Sequence, residues 1–351
     1  MIKYNIYSIP NEVRGLEYLN LLYKNTMGQD GSENIFELRN FSWTKAFLIF
    51  NHKNEKNIVH IHWETNIYGS RYALISILRM ILRFSILFVL KLTGIKIVWT
   101  MHNLEAHDYK HSEIDRLGKR IMWGIADRVI IQEKKIVEDK NNKKVVWIPQ
   151  GNYVGVYGEL SKVDQKVLKK QNGFDENSIL LLALGSIRPY KALSKLIEQI
   201  EIAVNQGAKI HLLIAGKLAD DYKEVMEEAV RGKNFITLKA GFVPDKEIPS
   251  ILNMADYTIY YYSKSSLSSA AMIMSLSYGT PVITRDIPAS EMVQEGINGF
   301  IYKNDDELIR LLKNLKSKSY FKIENVVSTI EDQSWGRVAK ELRELYINLY
   351  K

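Results

Sequence analysis

The chain has 351 residues, of which 46% are hydrophobic and 25% are charged. This balance is typical of a folded protein and excludes an intrinsically disordered one, and the length predicts about two domains. The sequence contains no cysteine, which excludes disulfides, a thiolate nucleophile and cysteine-ligated metal sites. The net charge of +8 predicts an anionic partner such as a phosphorylated ligand or anionic lipid.

The sequence predicts neither a nucleic-acid partner nor a secreted protein. The sequence has no Cys/His finger, no aromatic and basic RNA-binding signature and no long basic arm, so nucleic acid is not expected as a partner. The N-terminal segment MIKYNIYSIPN lacks the apolar stretch of a secretory signal. We therefore expect a cytoplasmic protein.

The N-terminal segment has the pattern of a βαβ unit. A strand is predicted over residues 3–9 and a helix over 16–23. The loop between them follows the carboxyl end of the strand, where α/β folds bind ligands, although it lacks the GxGxxG pattern of a dinucleotide site. Its candidate ligand-binding residues are Asn11, Glu12, Arg14 and Gly15.

Polar side chains follow two further predicted strands. The strand over 58–63 contains His60 and His62 and runs into a loop with Glu64. The strand over 96–101 is followed by His102, Glu105, His107 and Asp108. Such a cluster is typical of a polar ligand site or an acid/base site, although the last two residues are equally suited to capping a helix. The spacing of the histidines is not that of a helical zinc pair, so no metal is predicted.

The segment from Arg71 to Lys96 is strongly apolar but contains Arg79 and Arg83. These cations argue against a transmembrane span, which needs roughly 20 predominantly apolar residues. Two interpretations remain, a core helix or a helix lying at an anionic membrane face with its basic side chains among the headgroups. Both can hold on different faces of one helix.

A second α/β half follows a linker. Strands are predicted over 127–132 and 144–149, and a stretch rich in glycine and aromatic residues then places the boundary near residues 150 to 175. A strand over 179–184 leads into a loop with Gly185, Arg188 and Lys191. An arginine and a lysine at the start of a helix suit a diphosphate, although solvent-exposed charge is the alternative.

A serine-rich loop precedes a short helix that ends at Gly279. Hydroxyls and free backbone N–H groups at a helix N-terminus form a site for phosphate, and an ordinary serine-capped helix is the alternative. The candidate residues are Ser265, Ser266, Ser268 and Ser269. A final amphipathic helix is predicted over 335–350.

The second half resembles the nucleotide-sugar domain of GT-B glycosyltransferases of the family-4-like group, through LGSIRPYKALSKLI, IHLLIAGK, AGFVPDKEIPSILNMADYTI, SLSYGTPVITRD and GINGFIY. In the first half, IVHIHW, IVWTMHN, ADRVIIQE and VVWIPQGNY are similar to the acceptor-side domain of that group. The resemblance implies an α/β fold of two Rossmann-like domains facing across a cleft. The expected domains are an acceptor-side domain over 1–160, a donor domain over 161–330, and a C-terminal helix, 331–351, that crosses back to the first domain.

The resemblance also implies roles for individual residues. Lys191 would meet the diphosphate of the donor together with Arg188, which lies two residues later than the arginine of the commoner pattern. Gly185 and the serine loop would complete the donor site. Phe242 and Val243 would lie against the base, and His102 would approach the donor sugar. The loop from Asn11 to Gly15 would lie on the acceptor side.

One departure from the family pattern affects the expected mechanism. Retaining members usually carry Glu-x7-Glu before the glycine turn, and Ser266 and Met274 occupy those positions here. The stereochemical course is therefore open. An inverting enzyme would need a general base, for which the candidates are Glu105, Asp108 and Glu64.

The sequence thus predicts a hexosyltransferase that moves a sugar from a UDP- or GDP-linked donor, with GDP-mannose favoured, to a glycan or lipid-linked acceptor in surface polysaccharide synthesis. No metal or cofactor is expected, and the protein would lie peripherally at the inner face of the cell membrane. Two alternatives remain: a nucleotide-sugar epimerase on the same fold, and a non-catalytic nucleotide-sugar-binding partner of an active transferase.

Overall fold

The computed structural model describes residues 1–11, 17–29, 34–104, 111–138, 142–262, 267 and 269–351. The chain divides into two compact units. Unit 1 contains residues 1–151 and 333–351 together with Leu267, and unit 2 contains the described residues from 152 to 262 and from 269 to 332. The sequence placed the corresponding boundaries at residues 160 and 330.

Unit 1 is built on a parallel sheet with one short antiparallel edge. Its strands are β1 (Lys3–Ile9), β2 (Gly28–Gln29), β3 (Ile35–Asn40), β4 (Glu55–His62), β5 (Lys96–Thr100), β6 (Arg128–Ile131) and β7 (Val145–Trp147). They lie in the order β2-β3-β1-β4-β5-β6-β7, and only β2 runs antiparallel to its neighbour. The chain order reverses between β1 and β4, so the loops after these strands meet at the topological switch point.

Helices cover both faces of this sheet. They are α1 (Glu17–Thr26), α2 (Thr65–Tyr68), α3 (Ala73–Leu92), α4 (Ser112–Ile125) and α5 (Lys134–Glu138). Successive residues of a strand point to opposite faces. In β4, Val59 therefore lies in the core with α3 and α4, whereas Ile58 lies in the core with α1. Burial on both faces explains why the strands read as continuous apolar runs.

Helix α3 has one buried face, as expected of a core helix, and one exposed apolar face, as expected of a helix at a membrane. Its buried face consists of Ser76, Met80, Phe84, Leu87 and Leu90. The opposite face is apolar as well, with nine exposed side chains: Leu74, Ile75, Ile77, Leu78, Ile81, Leu82, Phe88, Val89 and Leu92. The helix is long and apolar enough to pass for a membrane span by length and composition. Its buried stripe nevertheless lies in the core of unit 1, which makes it part of the folded unit.

Unit 2 is a second parallel α/β layer. Its strands are β8 (Ile179–Leu184), β9 (Ile210–Gly216), β10 (Ile236–Ala240), β11 (Tyr257–Tyr260), β12 (Val282–Arg285) and β13 (Gly299–Tyr302), in the order β10-β9-β8-β11-β12-β13. Its helices are α6 (Gln165–Gln171), α7 (Leu193–Asn205), α8 (Lys223–Val230), α9 (Ile248–Met254), α10 (Ala270–Ser277), α11 (Asp305–Lys313) and α12 (Ile323–Ser328). The order reverses between β8 and β11, which makes the loops after these two strands the expected ligand-binding edge.

The last helix, α13 (Trp335–Asn348), belongs to unit 1 and packs against α1. Val338, Leu342 and Tyr346 bury its apolar face in the core that α1 also lines. The Arg343 guanidinium donates hydrogen bonds to the carbonyl oxygens of Asn25, Thr26 and Met27 at the carboxyl end of α1. A cation is favourable there because the helix dipole is negative at that end. The expected return of the C-terminal helix is confirmed.

Candidate functional site

In unit 2, three glycines shape the carboxyl edge of the sheet. Gly185, Gly216 and Gly241 follow β8, β9 and β10 with φ values of +107°, +151° and +151°. A β-carbon on Gly216 would lie 1.9 Å from the carbonyl oxygen of Gly185. The Gly241 N–H donates to the Gly216 carbonyl oxygen over 2.9 Å. Only glycine permits this close backbone approach with left-handed φ, so the three loops join into one concave edge.

Lys191 lies buried beneath the loop after β8. Its side chain is 8% exposed, and its ammonium nitrogen would be 3.1 Å from a β-carbon on Gly185. Burial, and then the nearby charge of Arg188, lower the pKa of Lys191 to about 8. Among the residues that the structure describes, no carboxylate forms an ion pair with this ammonium. A buried cation that no described carboxylate pairs is costly in a folded protein, and a bound anion would offset that cost.

The backbone positions this lysine at some cost. A 3-10 turn over Pro189–Lys191 ends at Ala192, which adopts a left-handed conformation with φ +47° and ψ +40°. A non-glycine residue is strained in that region, and such strain is concentrated at functional sites. The turn leads directly into α7 at Leu193. The sequence predicted the cations at this helix start, but not the conformation that buries one of them.

Two tyrosines connect the lysine turn to the N-terminus of α10. The Tyr190 ring stacks on Tyr262 with ring centroids 6.1 Å apart. The Tyr262 hydroxyl shares a hydrogen bond of 3.0 Å with the Ser269 hydroxyl, and Ser269 accepts a 3.3 Å bond from the Met272 N–H. Ser269 is therefore a helix cap, as the simpler interpretation predicted. It is connected to Tyr190, the residue before Lys191, through the side chain of Tyr262. Ser265, Ser266 and Ser268 lie outside the described residues.

The two residues expected against the base differ in environment. Phe242 is 71% exposed, so its ring has a free face, whereas Val243 is 7% exposed and packs into the protein. Both follow Gly241 and thus lie at the concave glycine edge. Of the pair, only Phe242 offers a surface on which a base can stack.

In unit 1, His102 follows β5 and lies at one end of a buried hydrogen-bonded network. The Tyr346 hydroxyl lies 2.7 Å from His60 Nδ1, and the Tyr23 hydroxyl lies 2.9 Å from His62 Nε2. His62 Nδ1 lies 3.4 Å from His102 Nε2. His60 and His62 thus hold the last helix and α1 to the sheet, which is a structural role.

The electrostatics of this network keep His102 uncharged. Burial lowers the pKa of His102 to about 3, although a hydrogen bond with Gln132 opposes the shift. Trp63 stacks on the His102 ring at a centroid distance of 4.3 Å, and its backbone has a left-handed φ of +52°. The imidazole is therefore a neutral, oriented group that exchanges hydrogen bonds but carries no charge at neutral pH.

The structure places Glu64 among buried polar partners. Its side chain is buried, accepts a 3.2 Å hydrogen bond from Trp99 Nε1 and lies 3.5 Å from the Lys119 ammonium. Lys119 also pairs with Asp115 at 2.9 Å, so the three charges form one cluster between the sheet and α4. Burial raises the pKa of Glu64, and Lys119 opposes the shift. Each carboxylate oxygen of Glu64 therefore lies against one of these partners, and its role as a general base stays a prediction.

The remaining acceptor-side predictions have different outcomes. The Asn11 side chain donates to the Phe41 carbonyl oxygen at 3.0 Å and accepts from the Phe41 N–H at 2.7 Å, so it fastens the loop after β1 to the end of β3. Glu12, Arg14 and Gly15 lie outside the described residues, as do Glu105 and Asp108. Within the described chain, no group of three His, Asp or Glu side chains is arranged to hold a metal ion.

The structure also adds residues that the sequence did not single out. Gly216 and Gly241 contribute to the donor edge, and Tyr190 and Tyr262 connect its parts. The glycines carry a recognisable signal, since Gly216 ends the buried strand β9 and Gly241 directly follows β10. The tyrosines carry none, because an aromatic residue in a loop is equally consistent with ordinary packing.

Comparisons with known proteins agree with this geometry. Residues 164–328 match the family model described as glycosyl transferases group 1. The whole fold is similar to Anabaena Alr3699/HepE, solved in complex with UDP-glucose, at a TM-score of 0.69 and 14% identity over 99% of this chain and 100% of that one. It is also similar to sucrose-phosphate synthase from Thermosynechococcus elongatus, at 0.69 and 13% over 100% and 99%. A glycosyltransferase from Rickettsia africae gives 0.67 and 14% over 100% and 99%. The comparison with curated proteins found no match.

The fold and the comparisons together show that this chain has the GT-B fold. Residues 164–328 of this fold are the part that matches the glycosyl transferases group 1 family model. The fold class expected from the sequence is thereby confirmed.

Proposed function

We propose that this protein transfers a hexose from a UDP- or GDP-linked donor to a glycan or lipid-linked acceptor in the synthesis of a surface polysaccharide. The observation that carries the proposal is the buried Lys191 ammonium at the carboxyl edge of unit 2, which has no carboxylate partner among the described residues. A nucleotide diphosphate supplies the missing negative charge.

The proposed chemistry places the main stabilisation on the leaving group. When the bond between the anomeric carbon and the diphosphate oxygen breaks, negative charge develops on the diphosphate. Lys191, Arg188 and the N–H groups at the start of α10 would neutralise that charge in place, which is the electrostatic term that commonly dominates such catalysis. No metal ion is required in this scheme, because the protein itself supplies the cations.

Solved relatives and the sequence resemblance bear on the identity of the donor base and sugar. Relatives with the same fold were solved with UDP and with UDP-glucose, which supports a uridine donor, whereas the sequence resemblance favours GDP-mannose. The exposed ring of Phe242 suits stacking on either base. His102, as a neutral imidazole, would exchange hydrogen bonds with a hydroxyl of the donor sugar. An acceptor base would come from Glu105 or Asp108.

The proposed location is the inner face of the cell membrane. The exposed apolar face of α3 is too extensive for an ordinary surface helix, since an exposed face is normally polar. Phe47, Leu48 and Phe50 are more than half exposed and lie at or just beyond the 3-10 turn Trp43–Leu48, which contacts α3. A cytoplasmic protein with such a surface would bind the membrane peripherally, where lipid-linked acceptors reside.

The direct test is calorimetric titration with UDP, GDP, UDP-glucose and GDP-mannose. Lys191→Ala should lower affinity for the preferred nucleotide by about 100-fold, since a buried charged hydrogen bond is lost. Lys195→Ala is the matched control, because Lys195 is exposed on the first turn of α7. Equal affinity in the wild type and Lys191→Ala would remove the diphosphate assignment. Tight binding without release of nucleoside diphosphate in the presence of membrane extract would identify a non-catalytic partner.

A further inference from the structure

Unit 1 contains an apolar groove between α3 and α4. Its volume is about 870 Å³, and its lining is apolar except for one serine and one glutamate. The lining side chains repeat every three or four residues on both helices, which places them in two facing stripes. These stripes include Ile77, Ile81 and Phe88 on α3, and Ile114, Leu117 and Ile121 on α4. From Ile77 to Phe88 the groove extends about 17 Å at the rise of an α-helix.

The two helices run parallel, and their direction orients the groove. At their N-terminal ends, His111 Nε2 lies 3.2 Å from the Arg71 carbonyl oxygen. At their C-terminal ends, the Lys91 ammonium donates to the Ile125 carbonyl oxygen at 2.6 Å. In a parallel α/β unit, the helices begin at the carboxyl edge of the sheet. The groove therefore starts at the edge that carries Trp63 and His102, and leads away from it.

We infer that this groove binds the hydrocarbon chain of a lipid-linked acceptor, with the head group of the lipid at the carboxyl edge of unit 1. The inference rests on the proposed function and specifies its acceptor class. A hydrocarbon chain matches an elongated apolar groove that begins at the polar edge carrying His102. A polar glycan would leave these walls in contact with water.

The charges favour a lipid over a second copy of this protein. Helix α3 contains Arg79 and Arg83 and no carboxylate, and Arg71 is exposed just before its first turn. Its third cation, Lys91, pairs with Asp127 at 2.9 Å. Two copies meeting along this face would bring the arginines together. An anionic lipid phosphate at the Arg71 end is attracted instead. The exposed apolar side chains outside the groove, such as Leu78 and Leu82, would lie in the bilayer and admit a chain from the side.

The test is the dependence of affinity on chain length for octyl, decyl and dodecyl phosphate, measured below their micellar concentrations by calorimetry on the full chain. Burial of a methylene contributes about fourfold in affinity, so the wild-type protein should bind each homologue, longer by two methylenes, up to about 15-fold more tightly. Ile81→Gln combined with Leu117→Gln should flatten this dependence. Leu82→Gln is the matched control, because Ile81 and Leu82 are 63% and 62% exposed and only Ile81 lines the groove.

Several outcomes would overturn the inference. A chain-length dependence that is absent, or that is equal in the wild type and the groove variant, excludes a hydrocarbon site there. Adsorption to phosphatidylglycerol vesicles without any such dependence means that the face only binds the bilayer surface. A dimer that the groove variant dissociates, again without the dependence, identifies a second copy as the occupant. Titration of the same samples with UDP and GDP separates the two proposals: normal nucleotide binding without alkyl binding overturns only the groove, whereas loss of nucleotide binding in the wild type overturns the proposed function.

Discussion

The Lys191 ammonium lies directly against Gly185, with its nitrogen 3.1 Å from the position that a β-carbon at residue 185 would take. The glycine thus leaves the space into which the buried lysine side chain folds. A methyl group at residue 185 would displace the cation from its position.

Gly185→Ala should therefore weaken nucleotide binding by roughly tenfold or more, a loss of about 1.4 kcal/mol per factor of ten. Part of any stability loss will come from the left-handed φ of +107°, which costs a non-glycine residue about 1–2 kcal/mol. Gly207→Ala is the control for that part, because Gly207 has φ +94° and no atom within 4 Å of its would-be β-carbon. Calorimetry measures the affinity of both variants for UDP and GDP. An equal loss of nucleotide affinity in Gly185→Ala and Gly207→Ala would contradict the role of Gly185.

The lowered pKa of Lys191 predicts a specific pH dependence of stability. Its pKa is about 8 in the folded protein, below the usual 10.5, so between these values the unfolded chain binds more protons than the folded one. Stability of the ligand-free protein should consequently rise as the pH increases from about 8 to 10.5. Lys191→Met should lack this rise and should be the more stable protein at pH 7. Urea denaturation across that range measures the effect, and parallel curves for both proteins would contradict it.

The same titration predicts a fall in ligand affinity with pH. A diphosphate binds the charged ammonium, so the affinity of the wild type for UDP or GDP should decrease above about pH 8, by at most tenfold per unit for one proton. Lys191→Met should bind weakly and without this additional dependence. An unchanged wild-type affinity between pH 7 and 10 would mean that the lysine does not contact the phosphate.

Arg343 predicts how strongly the last helix is held. Its guanidinium binds three carbonyl oxygens at the end of α1, and Arg343→Ala should lower the free energy of unfolding by about 2 kcal/mol, the range of hydrogen bonds to charged groups. Lys340→Ala removes an exposed cation from the same helix and should have little effect. Thermal unfolding of the two variants measures the difference, and equal midpoints would contradict the anchoring role.

The exposed face of α3 predicts membrane binding that depends on apolar side chains. Leu78→Gln with Leu82→Gln should reduce sedimentation with phosphatidylglycerol vesicles severalfold without changing thermal stability, because both side chains are about 60% exposed. Leu238→Gln alters a partly buried side chain of unit 2 and tests for nonspecific effects on vesicle binding. Undiminished sedimentation of the α3 variant would exclude this face as the membrane contact.

Substitution of the arginines of α3 is a poor test of lipid binding, because both side chains also hold the fold together. Arg79 donates to the Gly69 carbonyl oxygen at 2.9 Å, Arg83 donates to that of Ile67 at 2.9 Å, and Arg83 also lies over the Trp43 ring. In this conformation both guanidinium groups bind backbone carbonyl oxygens at α2, and their contact with lipid headgroups stays a prediction. Replacing them by glutamate would disturb the fold along with any effect on lipid binding.

The periodicity of the sequence was sufficient for most of the strands and helices, but only partly for the site. Apolar strands and amphipathic helices predicted most of both parallel sheets, although β2 and β3 were missed, and the family resemblance supplied the two-domain arrangement. The spacing of Val338, Leu342 and Tyr346 predicted the face of the last helix. Lys191 was found because a cation following a strand lies at a known ligand-binding edge. Glu64 occupies the same kind of position, yet its side chain turns into a charged cluster with Lys119. Sequence position fixes the edge on which a residue lies, whereas neighbours distant in sequence decide where its side chain points.

The hydrogen bond between Tyr346 and His60 has a consequence for biosynthesis. Because α13 completes the core of unit 1, residues 1–151 cannot close that core until α13 has been translated. Unit 2 is contiguous apart from its short serine loop, and it is fully translated before α13 is made. The later-encoded unit can therefore fold first, which reverses the usual order of cotranslational folding and leaves the apolar surfaces of the first unit dependent on complete synthesis of the chain.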